Sequence, residues 1–234
     1  MPDLFLVRHA QASFFSASYD ELSPLGLQQA TALGAHWARA EVAFEAVYVG
    51  PRRRHRQTAE RVAAAYAERG LAFPAVTALD ELDEHHGATI IKARLGEDPT
   101  NPALATAAVD AADRERAIRD FFRAYNEIMR EWARGEHGLE GVESWAGFRA
   151  RTLRGLDLMC AGPGSGPRVA FTSGGFVSSA TGWLLGLDED RVIDLSLVVR
   201  NTSLTEVGWS SKRRRLVAFN ALPHCGDASL VTSV

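Results

Sequence analysis

The stretch LFLVRHAQAS, residues 4–13, places an arginine and a histidine directly after a short apolar run. Residues 4–7 have the uninterrupted apolar composition of a strand that is covered on both faces. In open α/β sheets, ligands collect where the carboxyl ends of strands meet the starts of helices. Arg8 and His9 are therefore predicted to lie at a ligand-binding edge of such a sheet.

The next segments alternate between helical and extended patterns. A helix is predicted from residue 24 to 40, with Ser23 as its N-cap and Pro24 at its first position. A strand at residues 44–50, a helix that ends at Gly70 and a third strand at residues 75–82 are predicted to follow. This alternation predicts an α/β fold with a mostly parallel sheet.

The pattern changes between Gly87 and Gly141, where no strand is predicted. The breaker-rich loop around Pro99 to Pro102 precedes a long helix with apolar residues at helical spacing. These residues are Ile118, Phe121, Phe122, Tyr125, Ile128, Met129 and Trp132. We interpret the segment as a helical insertion in a single domain over residues 1–234. It could cap a pocket, or its aromatic stripe could pack on the sheet or contact a second copy in a homodimer.

Regular order is predicted to return in the last third of the chain. A helix over residues 144–160, the strand RVAFTS at 168–173 and the helix GGFVSSATGWLLG at 174–186 fit this order. Residues 201–210 and 214–222, joined by a turn around Ser211 and Lys212, are predicted to form a hairpin.

Composition excludes several classes of function. The 234 residues carry a net charge of −3, so no overall basic field attracts nucleic acid or an anionic membrane. Cys160 and Cys225 lie far apart and show no metal-ligand spacing, which fits a reducing compartment. No signal-peptide pattern and no apolar window of about 18 residues is present, so a cytoplasmic location is predicted.

Polar clusters follow four of the predicted strands, and together they indicate phosphoryl chemistry. They are Arg8–His9, PRRRHRQT at 51–58, DELDEHHG at 80–87 and Thr172–Gly175. An arginine fork binds two phosphate oxygens at once, a histidine can be a covalent nucleophile, and a carboxylic acid can protonate a leaving alcohol. No cofactor is needed. His85 and His86 are not expected to bind a metal, because adjacent strand side chains point to opposite faces and no third ligand is evident.

LFLVRHAQAS resembles the RHG motif of the histidine phosphatase superfamily, the phosphoglycerate-mutase-like proteins, with Ala10 in place of the glycine. Further stretches resemble other motifs of that family in the same order. They are LSPLGLQQA, VYVGPRRRHRQTAE, ESWAGFRAR, VAFTSGGFVSSA and FNALPH. The resemblance implies a three-layer α/β/α sandwich with a mostly parallel central sheet and a helical insertion.

The resemblance also implies roles for individual residues. His9 would be the nucleophile that forms a phosphohistidine, and Arg8 and Arg54 would bind the phosphate. Glu81, in the setting LDEL, would be the proton donor. Asp83 and Glu84 compete with Glu81 for that role.

Other candidates surround this set. Gln11, Ser13 and His85 are candidates for the substrate pocket. Arg52, Arg53 and Arg56 are interpreted as flanking charges of a solvated helix start. A nucleic-acid function for this basic run is disfavoured because no aromatic platform accompanies it.

The largest departure from the family lies at Ser173, where the fourth motif has a histidine that hydrogen-bonds the phosphoryl group. Losing such a donor typically costs about 3 kcal/mol of barrier, on the order of a hundredfold in rate. The amides of Gly174 and Gly175 at a helix N-terminus could recover part of this loss. Another histidine, His55, His85 or His86, could also compensate. His224 belongs to the stretch FNALPH, which the resemblance includes, and is not interpreted as a replacement.

Two functions from different classes therefore remain. The first is a phosphomonoester hydrolase of the histidine acid type that acts on a small phosphorylated substrate. The alternative is a catalytically weak or inactive phosphate-binding or regulatory protein on the same fold. A mutase is less favoured, since QASFFSAS at residues 11–18 does not resemble the mutase continuation.

Overall fold

The computed structural model describes residues 3–13, 20–96, 111–136, 139–161, 164–210 and 213–233. It contains a six-stranded sheet with the order β3-β2-β4-β1-β5-β6. The strands are β1 (Asp3–Arg8), β2 (Ala46–Val49), β3 (Val76–Ala78), β4 (Arg168–Thr172), β5 (Leu204–Trp209) and β6 (Arg214–Ala221). The first four strands of this spatial order pair in parallel, and the pairs β1–β5 and β5–β6 are antiparallel.

Five of the described helices were predicted from the sequence, whereas those at Gly87–Leu95 and Glu189–Val198 were not. The helices are α1 (Pro24–Arg39), α2 (Arg53–Ala67), α3 (Gly87–Leu95), α4 (Ala111–Arg134), α5 (Trp145–Cys160), α6 (Gly174–Leu185) and α7 (Glu189–Val198). The predicted N-cap of α1 is confirmed, because the Ser23 hydroxyl accepts a hydrogen bond of 3.0 Å from the Gly26 amide. Gly186 ends α6 with a φ of 67°, a conformation that costs glycine little. Within the part of the chain that the structure describes, no helix is long and apolar enough to cross a membrane.

Both faces of the sheet are covered, which confirms the predicted three-layer α/β/α architecture. Successive strand side chains point to opposite faces, so Phe5 and Val7 pack in the cluster under α1 and α2. Leu4 and Leu6 pack in the opposite cluster, under α5 and α6. This double burial is the reason that β1 is apolar at almost every position.

The described part of the predicted insertion consists of α3 and α4. Helix α4 packs against α3, α5 and α7 around a third apolar cluster. Its buried members are Ile90, Ile91, Ile128, Met129, Trp132, Ala133, Trp145, Phe148, Val192 and Ile193. Phe121, Phe122 and Tyr125 are only half-buried, so the stripe's C-terminal half makes the core. The loop around Pro99 to Pro102 and the side chain of Ile118 lie outside the described residues.

The prediction of a strand over residues 75–82 is wrong in its length. Only Val76–Ala78 is extended, and Asp80–Leu82 forms a single 3₁₀ turn. Leu82 is fully buried, and its carbonyl accepts a hydrogen bond of 2.6 Å from the Thr172 hydroxyl at the end of β4. The chain therefore turns from the sheet edge toward β4, which brings residues 83–85 to the ends of the parallel strands.

The predicted hairpin is present as β5 and β6. Its turn residues, Ser211 and Lys212, lie outside the described part of the chain.

Candidate active site

Four of the predicted site residues meet at the carboxyl ends of β1, β2 and β4. Arg8 ends β1 and His9 follows it, Arg54 lies in the first turn of α2 after β2, and Ser173 precedes α6 after β4. Parallel pairing of β1 with β4 and of β4 with β2 places these strand ends at one edge of the sheet. Residues that are far apart in the chain thus share a small, largely buried space.

Hydrogen bonds from three directions hold the His9 backbone and ring. The His9 amide donates to the Thr172 carbonyl at 2.8 Å, and the Asn201 side chain donates to the His9 carbonyl at 3.1 Å. The ring nitrogen Nδ1 lies 2.8 Å from the Ala10 carbonyl oxygen. A carbonyl can only accept, so Nδ1 carries the proton and the lone pair of the neutral ring is on Nε2.

Arg54 lies against that lone pair. Its Nε donates to His9 Nε2 at 3.1 Å, and its terminal nitrogen donates to an Asp20 carboxylate oxygen at 2.9 Å. Both His9 and Arg54 are almost completely buried. The guanidinium is thus held beside the atom that would bond to phosphorus.

Burial, followed by the positive charges of Arg54 and Arg8, holds the pKa of His9 well below its usual range. The imidazole is therefore neutral at pH 7, which is the form that can act as a nucleophile.

Arg8 extends toward the start of α6. One of its terminal nitrogens donates to the carbonyls of Val199 and Ser233. A Cβ built on Gly174 would lie 3.6 Å from Arg8 Nε. The guanidinium and the first residue of α6 are therefore direct neighbours on the side of His9 toward β5.

The three carboxylates that compete for the role of proton donor lie in different surroundings. The Glu84 carboxylate accepts a hydrogen bond of 3.2 Å from the Gly175 amide at the start of α6. Asp83 forms an ion pair with Arg52, with 2.5 Å between Oδ1 and Nε. The Cβ of Glu81 lies beside Gly155 of α5, where an added Cβ would be 3.1 Å away. Glu84 is thus the carboxylate bound to the helix start at the site.

Glycine is required at position 175 for this contact. A Cβ there would lie 2.0 Å from Glu84 Oε1 and 2.7 Å from the His85 ring. The missing side chain lets the carboxylate reach the first amides of α6, where the helix dipole favours negative charge.

Ser173 is fully buried, and its hydroxyl contacts His55. The distance from Oγ to His55 Nε2 is 2.7 Å, and His55 is fully buried as well. The rings of His55 and His9 are 5.6 Å apart between centroids. Gly174, which follows Ser173, lies next to the Arg8 side chain.

The three candidates for the substrate pocket occupy two places. The Ser23 hydroxyl donates to the Gln11 side chain at 2.7 Å, and the Ser13 amide donates to the Glu21 carbonyl at 2.8 Å. Gln11 and Ser13 thus hold the segment after β1 against the start of α1.

His85 lies on the other side of the site. Its ring centroid is 5.6 Å from that of Trp132 and 5.7 Å from that of Phe148. Its Nε2 is 3.6 Å from the Glu84 carboxylate. His85 therefore connects the core of the insertion with the carboxylate at the start of α6.

The flanking arginines of the basic run are engaged by other groups. Arg53 pairs with Glu21, Arg52 pairs with Asp83, and Arg56 donates to the Pro51 carbonyl at 2.9 Å. Among the described residues, no three potential ligands are grouped so that they could hold a metal ion.

Sequence reasoning missed three residues that hold His9 and its neighbours. Asp20 binds Arg54, Asn201 binds the His9 carbonyl, and the Thr58 hydroxyl accepts from the Ala10 amide at 3.1 Å. Thr58 belongs to the stretch VYVGPRRRHRQTAE and could have been found from that motif. Asp20 and Asn201 have no local signal, because only the fold brings them to β1.

Comparisons with known proteins agree with this fold. The family model described as histidine phosphatase superfamily (branch 1) matches residues 4–100 and 88–222. No curated protein is similar enough in sequence to give a match.

Several solved structures share the fold. A phosphoserine phosphatase mutant from Entamoeba histolytica, in complex with phosphoserine, is 18% identical with a TM-score of 0.65, over 96% of this chain and 100% of that chain. A mycobacterial glucosyl-3-phosphoglycerate phosphatase is 22% identical with a TM-score of 0.62, over 94% and 99%. A phosphoglycerate mutase from Bacillus anthracis is 16% identical with a TM-score of 0.62, over 95% and 94%. At these identities the likeness concerns the fold.

Proposed function

Because the chain belongs to the histidine phosphatase superfamily, we propose that it hydrolyses phosphomonoesters through a phosphohistidine formed on His9. The observation that carries this proposal is the state of the His9 ring. The ring is neutral, its Nδ1 proton is directed to the Ala10 carbonyl, and its Nε2 lone pair faces the Arg54 guanidinium. A nucleophile for an anionic phosphate needs this combination of an unprotonated nitrogen and adjacent positive charge. On substrate binding the Arg54 Nε–H would transfer its hydrogen bond from His9 Nε2 to a phosphoryl oxygen, which frees the lone pair for attack.

The proposed reaction has two steps. His9 Nε2 attacks phosphorus, and the bond from phosphorus to the ester oxygen breaks while an acid protonates the leaving alcohol. Water then attacks the phosphohistidine, the same carboxylate accepts the water proton, and phosphate leaves with His9 neutral again. Arg8, Arg54 and the amide of Gly174 would bind the phosphoryl oxygens, as guanidinium groups and helix starts do.

We assign the acid to Glu84 and not to Glu81, which the sequence favoured. Glu84 has its carboxylate at the start of α6, next to the amides that would bind the phosphoryl group. Glu81 packs against α5 at Gly155, and its carbonyl accepts a hydrogen bond of 3.1 Å from Arg151. Glu81 lies within the 3₁₀ turn at Asp80–Leu82, and the chain that follows this turn brings the Glu84 carboxylate to the start of α6.

The substrate is proposed to be a small phosphorylated compound, and no cofactor is proposed. The solved structures with this fold include phosphatases named for phosphoserine and for glucosyl-3-phosphoglycerate, which make these two esters the first to test. A cytoplasmic location and a homodimer stay predictions.

We propose further that residues 87–141 cover the site as an insertion within one domain and select the leaving group. The contact of His85 with Trp132 and Phe148 supports this role, because it joins the core of the insertion to the residue next to Glu84.

The experiment compares wild type with His9→Ala on p-nitrophenyl phosphate and on a panel of phosphorylated metabolites. Wild type should release phosphate and His9→Ala should lose at least about a thousandfold in rate, since removing a covalent nucleophile typically costs this much or more. His36→Gln, a half-buried histidine of α1, is the matched control and should turn over normally. Rapid quenching with labelled substrate should trap an acid-labile, base-stable phosphoryl group on wild type only.

A different result would reject the phosphatase. If wild type and His9→Ala are equally inactive while orthovanadate still binds, the protein binds phosphate without turning it over.

A further inference from the structure

The contact between His55 and Ser173 is a buried polar pair that the proposed mechanism does not use. The two side chains are fully buried, 118 positions apart in sequence and 2.7 Å apart between Nε2 and Oγ. Burying an imidazole and a hydroxyl costs free energy that only a hydrogen bond recovers. The hydroxyl makes no side-chain cap to α6, although serine at this position commonly does so. The bond to His55 has taken the place of that cap.

The pair joins the two helix starts that flank His9. His55 follows Arg54 in the first turn of α2, and Ser173 precedes Gly174 at the start of α6. One hydrogen bond therefore links the guanidinium at His9 Nε2 to the amides that adjoin Arg8 and Glu84. The short distance between the His9 and His55 rings places this link directly beside the nucleophile.

The environment of His55 holds it in one place and in one charge state. Burial, and then the charge of Arg54, lower the pKa of His55 well below its usual range, so its ring is neutral. The ring fits against the backbone because residue 50 is glycine, where a Cβ would lie 2.3 Å from His55 Nδ1. A neutral ring beside the anion site neither repels nor neutralises the arginines, so its contribution there is geometric.

We propose that His55 and Ser173 form a positioning pair that holds Arg54 and the N-terminus of α6 in register on the two sides of His9. This inference rests on the proposed function. The Ser173 hydroxyl is fully buried and bound to His55, so we assign both as positioning residues and not as catalytic ones. Ser173 stands where the family resemblance implies a histidine, and its hydroxyl binds the imidazole of His55, which belongs to α2.

The test removes the hydrogen bond without removing the packing. His55→Leu introduces an apolar side chain of similar size, and Ser173→Ala removes one oxygen atom. His55→Gln keeps an amide near the position of Nε2 that can donate or accept a hydrogen bond. Both His55→Leu and Ser173→Ala should lower kcat by about ten- to a hundredfold with a much smaller change in KM, because small displacements of transition-state contacts act on kcat. The double variant should be no slower than the slower single variant, as expected of two groups that act as a unit. The kcat of His55→Gln should stay within about threefold of wild type, because this variant retains a hydrogen bond to Ser173.

The control is a buried hydrogen bond at the other end of α2, where the Tyr66 hydroxyl donates to the Val42 carbonyl at 2.8 Å. Tyr66→Phe should lower the melting temperature, because it removes one buried hydrogen bond, yet leave kcat within about threefold of wild type. If His55→Leu does not fold, the kcat values of Ser173→Ala and His55→Gln still test the positioning role of the pair.

Orthovanadate binding, measured by calorimetry, separates this inference from the proposed function. Its affinity should fall in His55→Leu and Ser173→Ala by a factor similar to the fall in kcat, and should be kept in His55→Gln. Unchanged kcat and unchanged vanadate affinity in both variants would overturn the positioning pair, as would additive effects in the double variant. Absence of His9-dependent turnover in wild type would instead contradict the proposed phosphatase activity. In that case the vanadate affinities of the variants would be the only test of the positioning role of His55 and Ser173.

Discussion

The strand-end site and the helical insertion are built from opposite kinds of contact. Around His9 the buried groups are polar, and each is held by a directional hydrogen bond, as in His9–Arg54 and His55–Ser173. In the insertion the buried groups are apolar, while the ion pairs Arg130–Asp194 and Arg134–Asp190 lie on the surface. Hydrogen bonds fix the positions of the side chains around His9, whereas apolar packing in the insertion contributes mainly to the free energy of unfolding. Substitutions near His9 should therefore change mainly kcat, and substitutions in the insertion core should change mainly the free energy of unfolding.

The largest effect is expected from Glu84→Gln. Removal of a general acid typically costs on the order of 10² to 10⁴ in rate. With an alkyl phosphate, whose leaving group needs a proton, kcat should fall within this range. With p-nitrophenyl phosphate, whose leaving group needs no proton, the loss should be much smaller. The matched variant Glu81→Gln should retain nearly full activity on both substrates. The reverse ranking of the two variants would return the role to Glu81.

The second-largest effect is expected from Arg54→Met, at the same site. Loss of one preorganised charged donor is expected to lower kcat on the order of a hundredfold. It should also shift the pH profile, because Arg54 is one of the charges that depress the pKa of His9. His9 must be neutral to attack, so kcat/KM falls as pH drops through that pKa. Without Arg54 the pKa rises, and the acid limb should move to higher pH. An unmoved limb would mean that His9 does not control it.

Trp132→Ala tests the other side of the comparison. Trp132 is buried in the insertion, and its indole nitrogen donates to the Glu143 carbonyl at 2.8 Å. Replacement of a buried tryptophan by alanine costs about 3–5 kcal/mol of unfolding free energy, which denaturant titration measures. Below the new melting transition, kcat with p-nitrophenyl phosphate should change by less than it does in Arg54→Met. A loss of activity equal to that of Arg54→Met would show that the insertion core acts at the site directly.

The smallest effect concerns stability in acid. The pKa values of His9, His55 and His224 lie below the ordinary histidine range mainly because of burial, and for His224 the value is about 4. Unfolding restores the ordinary value near 6.5, so below about pH 6.5 the unfolded state binds more protons. Stability should therefore be constant above that pH and fall below it, by up to about 1.4 kcal/mol per pH unit for each such histidine.

The variant His224→Asn makes the acid effect specific. Denaturant titrations between pH 4 and 7 should show a shallower slope for this variant than for wild type. Equal slopes would contradict a neutral, buried His224.

Much of the site could be predicted from local pattern. β1 follows from its apolar run, and Arg8 and His9 follow from their position at its end. Arg54 was identified through the stretch VYVGPRRRHRQTAE, and the structure places it against His9. The start of α1 was identified through Ser23. Each of these depends on a few consecutive residues, so their side-chain chemistry and spacing suffice.

The carboxylate at the site could not be predicted, because it depends on the residue at which β3 ends. The length of β3 is set by the burial of Leu82 and by the hydrogen bond from Thr172, which lies 90 positions later. A strand through residue 82 and a 3₁₀ turn at residue 80 present different carboxylates at the strand ends. The choice between Glu81 and Glu84 is thus decided outside the local sequence.

The sequence by itself determined the fold class and predicted the edge of the sheet for the proposed site. Through the family resemblance it also predicted the candidate nucleophile His9 and the arginines Arg8 and Arg54. Hydrophobic periodicity and caps are local properties, and parallel strands bring their carboxyl ends to one edge. Only the tertiary structure decided which glutamate lies at α6, which groups hold His9, and that His55 meets Ser173. Such contacts depend on the packing of two helix starts against one strand end, and no spacing along the chain encodes that distance.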